Sequence, residues 1–436
     1  MFSRRLAAAV AALATAGCSG ATSSPGSSLP AEPGGPRLAS PPVTTSASIA
    51  ATSEQLMSGR WSALPAAPIT HRDGASVVWT GSELLVWGGA SGAEDHQLHA
   101  DGAAYDPESG DWRLLPASPL SPRVGQAAVW TGTEMVVWGG YERGGYTPSE
   151  PTADGAAYDP TTNRWRVLPA APLSARGDAT ALWTGAEVVV LGGEPGGGGQ
   201  PGEVGGSPQT YGDGAAYDPS ANRWQHIPAP VPPAGHPLTW NTAIRVDGEL
   251  LAWSEWETNP AGGNPAGGVD LFSYSEQTGT WTLIPAAADA LPDVAEALSA
   301  GKLAVVRGSP DNCGDCPGPW VPEATALYDP AGNSWTRLPT DPLTGGLAAW
   351  TGAALFSFNP GAEMTSESDP STDVVPGDAS VYDPATNGWQ RLPAAPWGGC
   401  DNGLPWAPVW TGQALILYCT SSLASDRDGY VFTAGE

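Results

Sequence analysis

Short apolar runs alternate with turn-forming residues along most of the chain. Residues 123–169, for example, begin RVGQAAVWTGTEMVVWGG and end DGAAYDPTTNRWRVLP. The runs on either side of the Thr-Gly pair lack polar alternation, which predicts strands that are buried on both faces. The Gly, Pro, Asn and Asp residues between the runs predict tight antiparallel connections. The pattern therefore indicates an all-β protein.

The same sequence pattern recurs about every 50 to 60 residues, which is typical of repeat architectures. A tryptophan opens the final strand of each repeat and marks the period: Trp61, Trp112, Trp165, Trp224, Trp281, Trp335 and Trp389. A Tyr-Asp-Pro turn precedes most of these tryptophans: Tyr105, Tyr158, Tyr217, Tyr328 and Tyr382. Each repeat resolves into four strands, the last of which carries charge, and this is the pattern of a β-propeller blade.

The Gly-Gly doublet, the Tyr-Asp pair and the later Trp resemble the kelch repeat of kelch proteins and of the galactose-oxidase central domain. The resemblance covers residues 58–436 and is strongest in the first three repeats. It weakens where other residues stand in place of the doublet: Ser254-Glu255, Arg307-Gly308, Asn359-Pro360 and Cys419-Thr420. The resemblance implies a propeller built from consecutive blades.

The two ends of the repeat region predict how the ring closes. The chain enters with an unpaired fourth strand at 61–65 and finishes with an unpaired third strand at 428–432. Together they would complete a seventh blade, so we expect a seven-bladed propeller closed by the N-terminal strand. Closure of this kind removes exposed sheet edges. A six-bladed ring with a stray strand is the alternative.

The N-terminal residues read as an export signal followed by a linker. Arg4 and Arg5 precede an apolar stretch, and small residues lead to Cys18. This arrangement resembles the lipobox of bacterial lipoproteins, which implies cleavage after residue 17 and lipidation of Cys18. An ordinary secretory signal is the alternative. Residues 18–57 are rich in Ser, Thr, Pro and Gly, which predicts a disordered tether before the propeller at 58–436.

Composition and charge narrow the classes of function. The chain has 18 Lys and Arg against 45 Asp and Glu, a formal net charge of −27. Such a chain lacks the cationic surface that nucleic-acid binding requires, so we expect no nucleic-acid partner. Electrostatic docking on anionic lipid is disfavoured for the same reason. We expect membrane association only through the N-terminal lipid anchor, and hence an extracytoplasmic protein, lipid-anchored or secreted.

Strand order predicts which propeller face is variable. Loops that join the second strand to the third, and the fourth strand to the next blade, share one face. These loops are long and differ between repeats, whereas the W-T-G and Y-D-P turns of the other face are short. Binding residues concentrate on variable loops above a rigid scaffold. Any ligand surface should therefore lie on the long-loop face.

Four cysteines fall on this face. Cys313 and Cys316 share a loop, and Cys400 and Cys419 flank the last repeat. In an exported protein such cysteines predict disulfides. Proximity favours the pairs Cys313–Cys316 and Cys400–Cys419, although all three pairings are open. A redox or zinc role for the Cys-Gly-Asp-Cys segment is the alternative.

Three arginines open the first strand of the first three repeats, at Arg72, Arg123 and Arg176. Guanidinium groups gathered near the channel mouth could clamp a carboxylate or phosphate. The alternative is a structural pair between each arginine and an aspartate that precedes the third strand. That aspartate recurs at Asp101, Asp154, Asp213, Asp270, Asp378 and Asp428.

Aromatic and histidine side chains supply the remaining candidates. Tryptophans in or beside the variable loops could stack on sugars or anchor a protein, or fill space under the loops: Trp256, Trp320, Trp397 and Trp406. His96 and His99 lie among acidic residues at a spacing that could hold a divalent metal, although a solvated acidic loop is the simpler interpretation. No residue set matches the copper site of galactose oxidase, and we expect no cofactor.

These observations favour a non-catalytic recognition module that binds a protein or a glycan at the cell envelope. No nucleophile–base pair is placed together by the repeat. The alternative is a carbohydrate-active enzyme at the channel mouth, because some kelch propellers act on sugars, including sialic-acid epimerases. That interpretation would use the three arginines for a carboxylate and a loop acid or His236 for proton transfer. A structural envelope protein is the third hypothesis, and the oligomeric state stays open.

Overall fold

A computed structural model describes the repeat region with several gaps. The described residues are 51–92, 97–142, 150–196, 210–258, 266–284, 296–300, 303–308, 324–343, 347–359, 362–366, 369–375, 378–393, 406–419 and 429–435. The predicted signal peptide, Cys18 and most of the predicted tether therefore lie outside the described residues.

One short helix and a series of short strands make up the regular structure. The first half comprises α1 (Ser53–Met57), β1 (Arg60–Ala63), β2 (Ser76–Trp79), β3 (Leu84–Trp87), β4 (Ala90–Ser91), β5 (Gln97–Leu98), β6 (Gly102–Asp106), β7 (Asp111–Leu114), β8 (Ala127–Trp130), β9 (Met135–Trp138), β10 (Gly155–Asp159), β11 (Arg164–Val167), β12 (Thr180–Trp183), β13 (Val188–Leu191), β14 (Gly214–Asp218) and β15 (Arg223–Ile227).

The second half continues the same order of elements. It comprises β16 (Thr239–Val246), β17 (Glu249–Thr258), β18 (Ala266–Ser275), β19 (Thr280–Ile284), β20 (Glu296–Ala300), β21 (Leu303–Gly308), β22 (Ala324–Asp329), β23 (Ser334–Arg337), β24 (Leu347–Trp350), β25 (Leu355–Asn359), β26 (Ala362–Ser366), β27 (Asp369–Val375), β28 (Asp378–Asp383), β29 (Gly388–Arg391), β30 (Trp406–Trp410), β31 (Ala414–Cys419) and β32 (Gly429–Thr433).

The strands form four-stranded antiparallel sheets arranged as a β-propeller. Six blades each use one continuous stretch of chain, in the orders β2-β3-β6-β7, β8-β9-β10-β11, β12-β13-β14-β15, β16-β17-β18-β19, β20-β21-β22-β23 and β24-β25-β28-β29. A further four-stranded sheet combines β30, β31 and β32 with β1. The predicted all-β propeller is thus confirmed, and the N-terminal strand closes the ring by pairing with the C-terminal strand.

The innermost strands pack against one another around the ring. Contacts run from β2 to β8, β12, β16, β20, β24, β30 and back to β2. Six of the repeat tryptophans tie the outer strands, because their indole N–H donates to a proline carbonyl of the preceding blade. For example, Trp112 donates to Pro65 at 2.8 Å and Trp165 to Pro116 at 3.1 Å. Trp61 of β1 donates to Pro393 in the same way at 3.3 Å, so the closing strand uses the same contact as most other blades. The buried Nε1 of the seventh, Trp335, has no hydrogen-bond partner among the described residues.

Local turn chemistry explains why these residues form hairpins. In the W-T-G turn the threonine hydroxyl accepts the backbone N–H three residues later, at 3.0 Å from Glu134 to Thr131. Gly132 adopts a φ of 95°, which favours glycine. In the Y-D-P turn the Asp159 carboxylate accepts the Thr161 N–H at 2.8 Å, and the tyrosine hydroxyl donates to the asparagine five residues on.

The hydrophobic core lies between neighbouring blades rather than within any one blade. Large indoles at the end of the second strand are fully buried, as with Trp87 and Trp138. Each packs at a tilt against the outer-strand tryptophan of the next blade, with ring centroids 5.8 Å apart for Trp87 and Trp165. Apolar runs without alternation are therefore explained by burial against a blade on each side.

The last residues of the predicted tether include a short helix. Residues 51–57 pack on the propeller, where Leu56 is fully buried and the Ala51 carbonyl accepts the hydroxyl of Thr351 at 3.0 Å. Thr52 and Gln55 form a capping box that starts α1. The compositional argument missed this helix because one apolar side chain is enough to dock so short an element.

The described part of the chain contains no helix with the length and hydropathy needed to cross a membrane.

Candidate functional site

The connections between second and third strands build a raised surface, which we call the loop face. In the first blade β4 and β5 pair as an extra hairpin, and in the sixth blade β26 and β27 do the same. In the fourth blade β17 and β18 extend past the end of the sheet, where Trp256 pairs with Gly268. Among the described residues, the opposite surface, the turn face, carries short turns, mostly W-T-G and Y-D-P, and the segment with α1, where the Ala51 carbonyl accepts the hydroxyl of Thr351 from a W-T-G turn. The extra hairpins among the described residues therefore lie on the face that the sequence predicts for binding.

The three candidate arginines lie beneath the loop face and are fully buried. In each, Nη1 donates to the aspartate that precedes the third strand, at 2.8 Å to Asp101, 2.7 Å to Asp154 and 2.9 Å to Asp213. The same nitrogen of Arg72, Arg123 and Arg176 also donates to the carbonyl of the first glycine in the doublet. Each guanidinium thus links the start of the first strand, the end of the second and the start of the third in its own blade.

This geometry corresponds to the structural alternative for the arginines rather than to a shared anion clamp. The donors of Arg123 meet Ser121, Gly139, Thr152 and Asp154 of the same blade. A buried polar group must find hydrogen-bond partners, and these partners come from the blade itself. The aspartates are more open than the arginines, since 54% of the Asp154 side chain is exposed.

The ion pairs lower the pKa of the partner carboxyls. Burial alone would raise the pKa of Asp101 and Asp154, but the hydrogen bond and charge of the paired arginine outweigh it. Both carboxyls therefore stay ionised to a lower pH than a free aspartate does.

The fourth blade replaces the arginine with a histidine. His236 Nδ1 lies 2.8 Å from Asp270 Oδ2, and the imidazole stacks on the indole of Trp256 with centroids 3.8 Å apart. Asp270 occupies the repeat position of Asp101, Asp154 and Asp213. Two candidates that the sequence named separately, His236 and Trp256, are thus brought together. A repeat aspartate without an aligned arginine was the signal that could have revealed this pairing.

The third blade adds aromatic and histidine contacts around its arginine. The Tyr211 ring lies over the Arg176 guanidinium, with its centroid 3.9 Å from the central carbon. His226 Nε2 lies 3.1 Å from the second carboxylate oxygen of Asp213. Asp213 therefore faces a guanidinium on one side and an imidazole on the other. His226 stands two residues after the repeat Trp224, and Arg391, two residues after Trp389, pairs with the repeat aspartate Asp378 in the same way.

Of the two proposed metal ligands, the structure describes His99 but not His96. His99 Nε2 lies 2.7 Å from the Ser91 hydroxyl, and His99 Nδ1 lies 3.8 Å from Asp101. Burial and the charge of Arg72 lower the pKa of His99, while Asp101 opposes them. His96 lies outside the described residues, and no group of three metal-ligating side chains occurs among the residues that are described.

The other candidates fall in gaps between the described ranges. Trp320, Trp397, Cys313, Cys316 and Cys400 all lie outside the described residues. Trp406 and Cys419 lie on β30 and β31 and pair through their backbones, but their side chains are not described. The predicted disulfides and three of the four predicted aromatic contacts therefore remain predictions.

Acid is expected to destabilise the propeller through Asp101 and Asp154. A carboxyl whose folded-state pKa is depressed stabilises the fold above its ordinary value of 3.8, and this contribution is lost as the pH falls through the lower folded-state pKa. Urea unfolding between about pH 5 and pH 2 should show this decline. The decline should be shallower in Asp154→Asn than in the exposed control Asp111→Asn, and parallel curves would contradict the assignment.

Comparison with known families agrees with the fold over its first half. Residues 48–253 match a family model described as the KLHDC2/KLHL20/DRC7 Kelch-repeats domain. The matched region runs from just before α1 into β17, so it includes the repeats with intact Gly-Gly doublets. The kelch resemblance is thus confirmed for these residues. A comparison with curated protein sequences finds no match.

Proposed function

We propose that the chain is a recognition module that binds a protein partner through the loop face of its kelch propeller. The observation that carries the proposal is the extra hairpin structure on this face, formed by β4–β5, β17–β18 and β26–β27. Variable loops on a rigid scaffold are typical of binding surfaces. The buried arginine–aspartate pairs support such a scaffold because they fix the strand ends from which the loops rise.

The carbohydrate-active alternative has less support. It required Arg72, Arg123 and Arg176 to hold the carboxylate of an anionic sugar. Their guanidinium groups are buried and donate to carbonyls and carboxylates of their own blades. A sugar would have to displace these bonds, which costs more than a typical hydrogen bond returns. A glycan remains an alternative ligand class for the same face.

The cellular setting of this proposal rests on the N-terminal sequence. We propose that the signal at 1–17 exports the chain and that acylation of Cys18 anchors it, so that the partner is a protein or glycan at the cell envelope. The cysteine pairs Cys313–Cys316 and Cys400–Cys419 would suit an oxidising compartment. Radiolabelled palmitate incorporated by the wild type and absent from Cys18→Ala would support the anchor.

Photo-crosslinking from the loop face is expected to capture a specific partner. A photoreactive phenylalanine analogue would be placed at Gln97 and Glu142, which are exposed on that face. Matched probes at Glu108 and Thr161 would sit on exposed Y-D-P turns of the turn face. In cells that naturally make the protein, we expect discrete adducts from the first pair alone. Equal adducts from both faces, or adducts from the turn face only, would contradict the proposal.

A further inference from the structure

A recurring guanidinium site joins neighbouring blades on the turn face. At the junction of the first and second blades, Arg113 donates through Nε and Nη2 to both oxygens of Glu83, at 2.9 and 2.6 Å. Its Nη1 donates to the hydroxyl of Tyr158 in the next blade at 3.0 Å. The tyrosine in turn donates to Asn163. A carboxylate and a tyrosine hydroxyl therefore hold the arginine fork on two sides.

The next junction repeats the same arrangement. Arg166 donates through Nε to Glu134 at 2.8 Å and through Nη1 to Tyr217 at 2.8 Å. Tyr217 donates to Asn222 at 2.7 Å. The site is thus a feature of the repeat, since residues of the same type at the same register build it twice.

The junction of the third and fourth blades keeps the glutamate and the tyrosine but lacks the arginine. Glu187 stands at the position of Glu83 and Glu134, and Tyr274 stands at the position of Tyr158 and Tyr217. Gln225 replaces the arginine in an unchanged register, because it pairs with Ala216 as Arg166 pairs with Ala157. Gly279 replaces the asparagine. The carboxylate and the tyrosine hydroxyl that bind an arginine at the first two junctions are therefore present at the third, without an arginine at the equivalent position.

The retained groups have no hydrogen-bond partner among the described residues. The Glu187 carboxylate is half-buried and borders an open depression with Trp183, Asp218 and Ser220. Burial raises the pKa of Glu187, and the negative charges of Glu276 and Asp218 raise it further, while Arg223 opposes them. Desolvation among like charges disfavours an unpaired carboxylate, so an incoming cation would relieve it.

Another cation near the depression, Arg245, is within ion-pair distance of a neighbouring acid, but its Nε makes no hydrogen bond among the described residues. Arg245 of β16 lies with its Nε 3.9 Å from Glu276. The equivalent carboxylate of the fourth blade, Glu249, offers a contrast because it is exposed and accepts the Ser273 hydroxyl at 3.4 Å. The half-buried, unpartnered carboxylate thus distinguishes the third junction from the fourth.

We propose that this depression, the third-junction groove, binds an arginine side chain supplied by a partner polypeptide. Glu187 would accept two parallel N–H bonds from the guanidinium fork, as Glu83 does for Arg113 and Glu134 does for Arg166. A lysine ammonium cannot supply this planar fork. The groove lies on the turn face, so the proposal goes beyond the loop-face function and does not depend on it.

Binding of a blocked tripeptide tests the proposal. The probe is acetyl-Gly-Arg-Gly-amide, compared with the same peptide carrying lysine or citrulline, and titrated against the full chain by ligand-observed NMR. We expect saturable binding of the arginine peptide with a dissociation constant in the millimolar range. Glu187→Gln should weaken it by about tenfold or more, because a charge-assisted pair is lost. Glu249→Gln, the matched control, should leave binding unchanged.

A second variant fills the groove from within the chain. Gln225→Arg should supply the guanidinium that Arg113 and Arg166 supply elsewhere, so it should abolish peptide binding and raise the unfolding midpoint by about 1–3 °C. A folded Gln225→Arg protein that still binds the peptide as the wild type does would overturn the proposal. So would equal binding of the citrulline peptide, an equal loss in Glu249→Gln, or no saturable binding to the wild type. Loop-face crosslinking is unaffected by either variant, which separates this test from the previous one.

Discussion

Replacing Arg123 with alanine is expected to lower the free energy of unfolding by about 3–5 kcal/mol. The Arg123 side chain is fully buried and donates to the carbonyls of Ser121 and Gly139, both at 3.1 Å, as well as to Asp154. Alanine would leave these acceptors without a donor and would open a cavity where the guanidinium packs. Urea unfolding of the purified variant measures the loss.

Most of this loss should come from the buried carbonyls and the cavity rather than from the ion pair. More than half of the Asp154 side chain is exposed, so water can replace the arginine at that carboxylate. Asp154→Asn should therefore cost no more than about 1 kcal/mol. Arg337→Ala, which removes an exposed arginine of β23, should cost less than about 0.5 kcal/mol. A loss below about 1 kcal/mol in Arg123→Ala would contradict the structural role of these arginines and favour the anion-binding interpretation.

Removing residues 51–63 is expected to lower the free energy of unfolding by at least about 5 kcal/mol, which approaches the whole stability of many domains. The deletion takes away β1, whose four residues pair with β32 from Arg60–Thr433 to Ala63–Tyr430. It also takes away Leu56, which is fully buried, and Trp61, whose ring centroid lies 4.7 Å from that of Phe432. The edge of β32 would then be open to association with other chains.

A truncation series provides the control for ring closure. A chain that begins at Ala51 keeps α1 and β1 and should unfold as the full chain does, whereas one that begins at Leu64 should unfold early or aggregate. Leu56→Ala alone should cost about 2–5 kcal/mol, as for other buried leucines. Light scattering and urea unfolding would measure both effects. Equal stability of the two truncated chains would show that β1 is dispensable.

The repeat pattern predicted the fold well because its contacts are local in sequence. The Thr131 hydroxyl meets a backbone N–H three residues away, and Asp159 meets one two residues away. Such turns are specified by adjacent residues and can be read without knowing the fold. Ring closure was predictable for a related reason, since two unpaired strands at the two ends of the repeat region need each other.

The candidate site was less accessible to sequence reasoning because its contacts join distant residues. The sequence offered an anion clamp and a structural pair as roles for Arg72, Arg123 and Arg176, and their burial and their hydrogen bonds within the blade favour the structural pair. The stacking of His236 on Trp256 depends on the extension of β17 past the sheet. Repeat alignment could have shown that Gln225 replaces an arginine, but not that the side chains of Glu187 and Tyr274 lack hydrogen-bond partners in the described part of the chain.

The sequence by itself determined the all-β class, the strand order within each blade, the closing role of the N-terminal strand and the face on which long loops lie. These follow from apolar periodicity and turn residues, whose effects act over a few positions. Only the tertiary structure showed which polar groups are satisfied: Arg123 donates to acceptors of its own blade, and the Glu187 carboxylate has no hydrogen-bond partner among the described residues. Such outcomes depend on burial and on neighbours from other blades, because the free energy of a buried charge is set by what surrounds it in space.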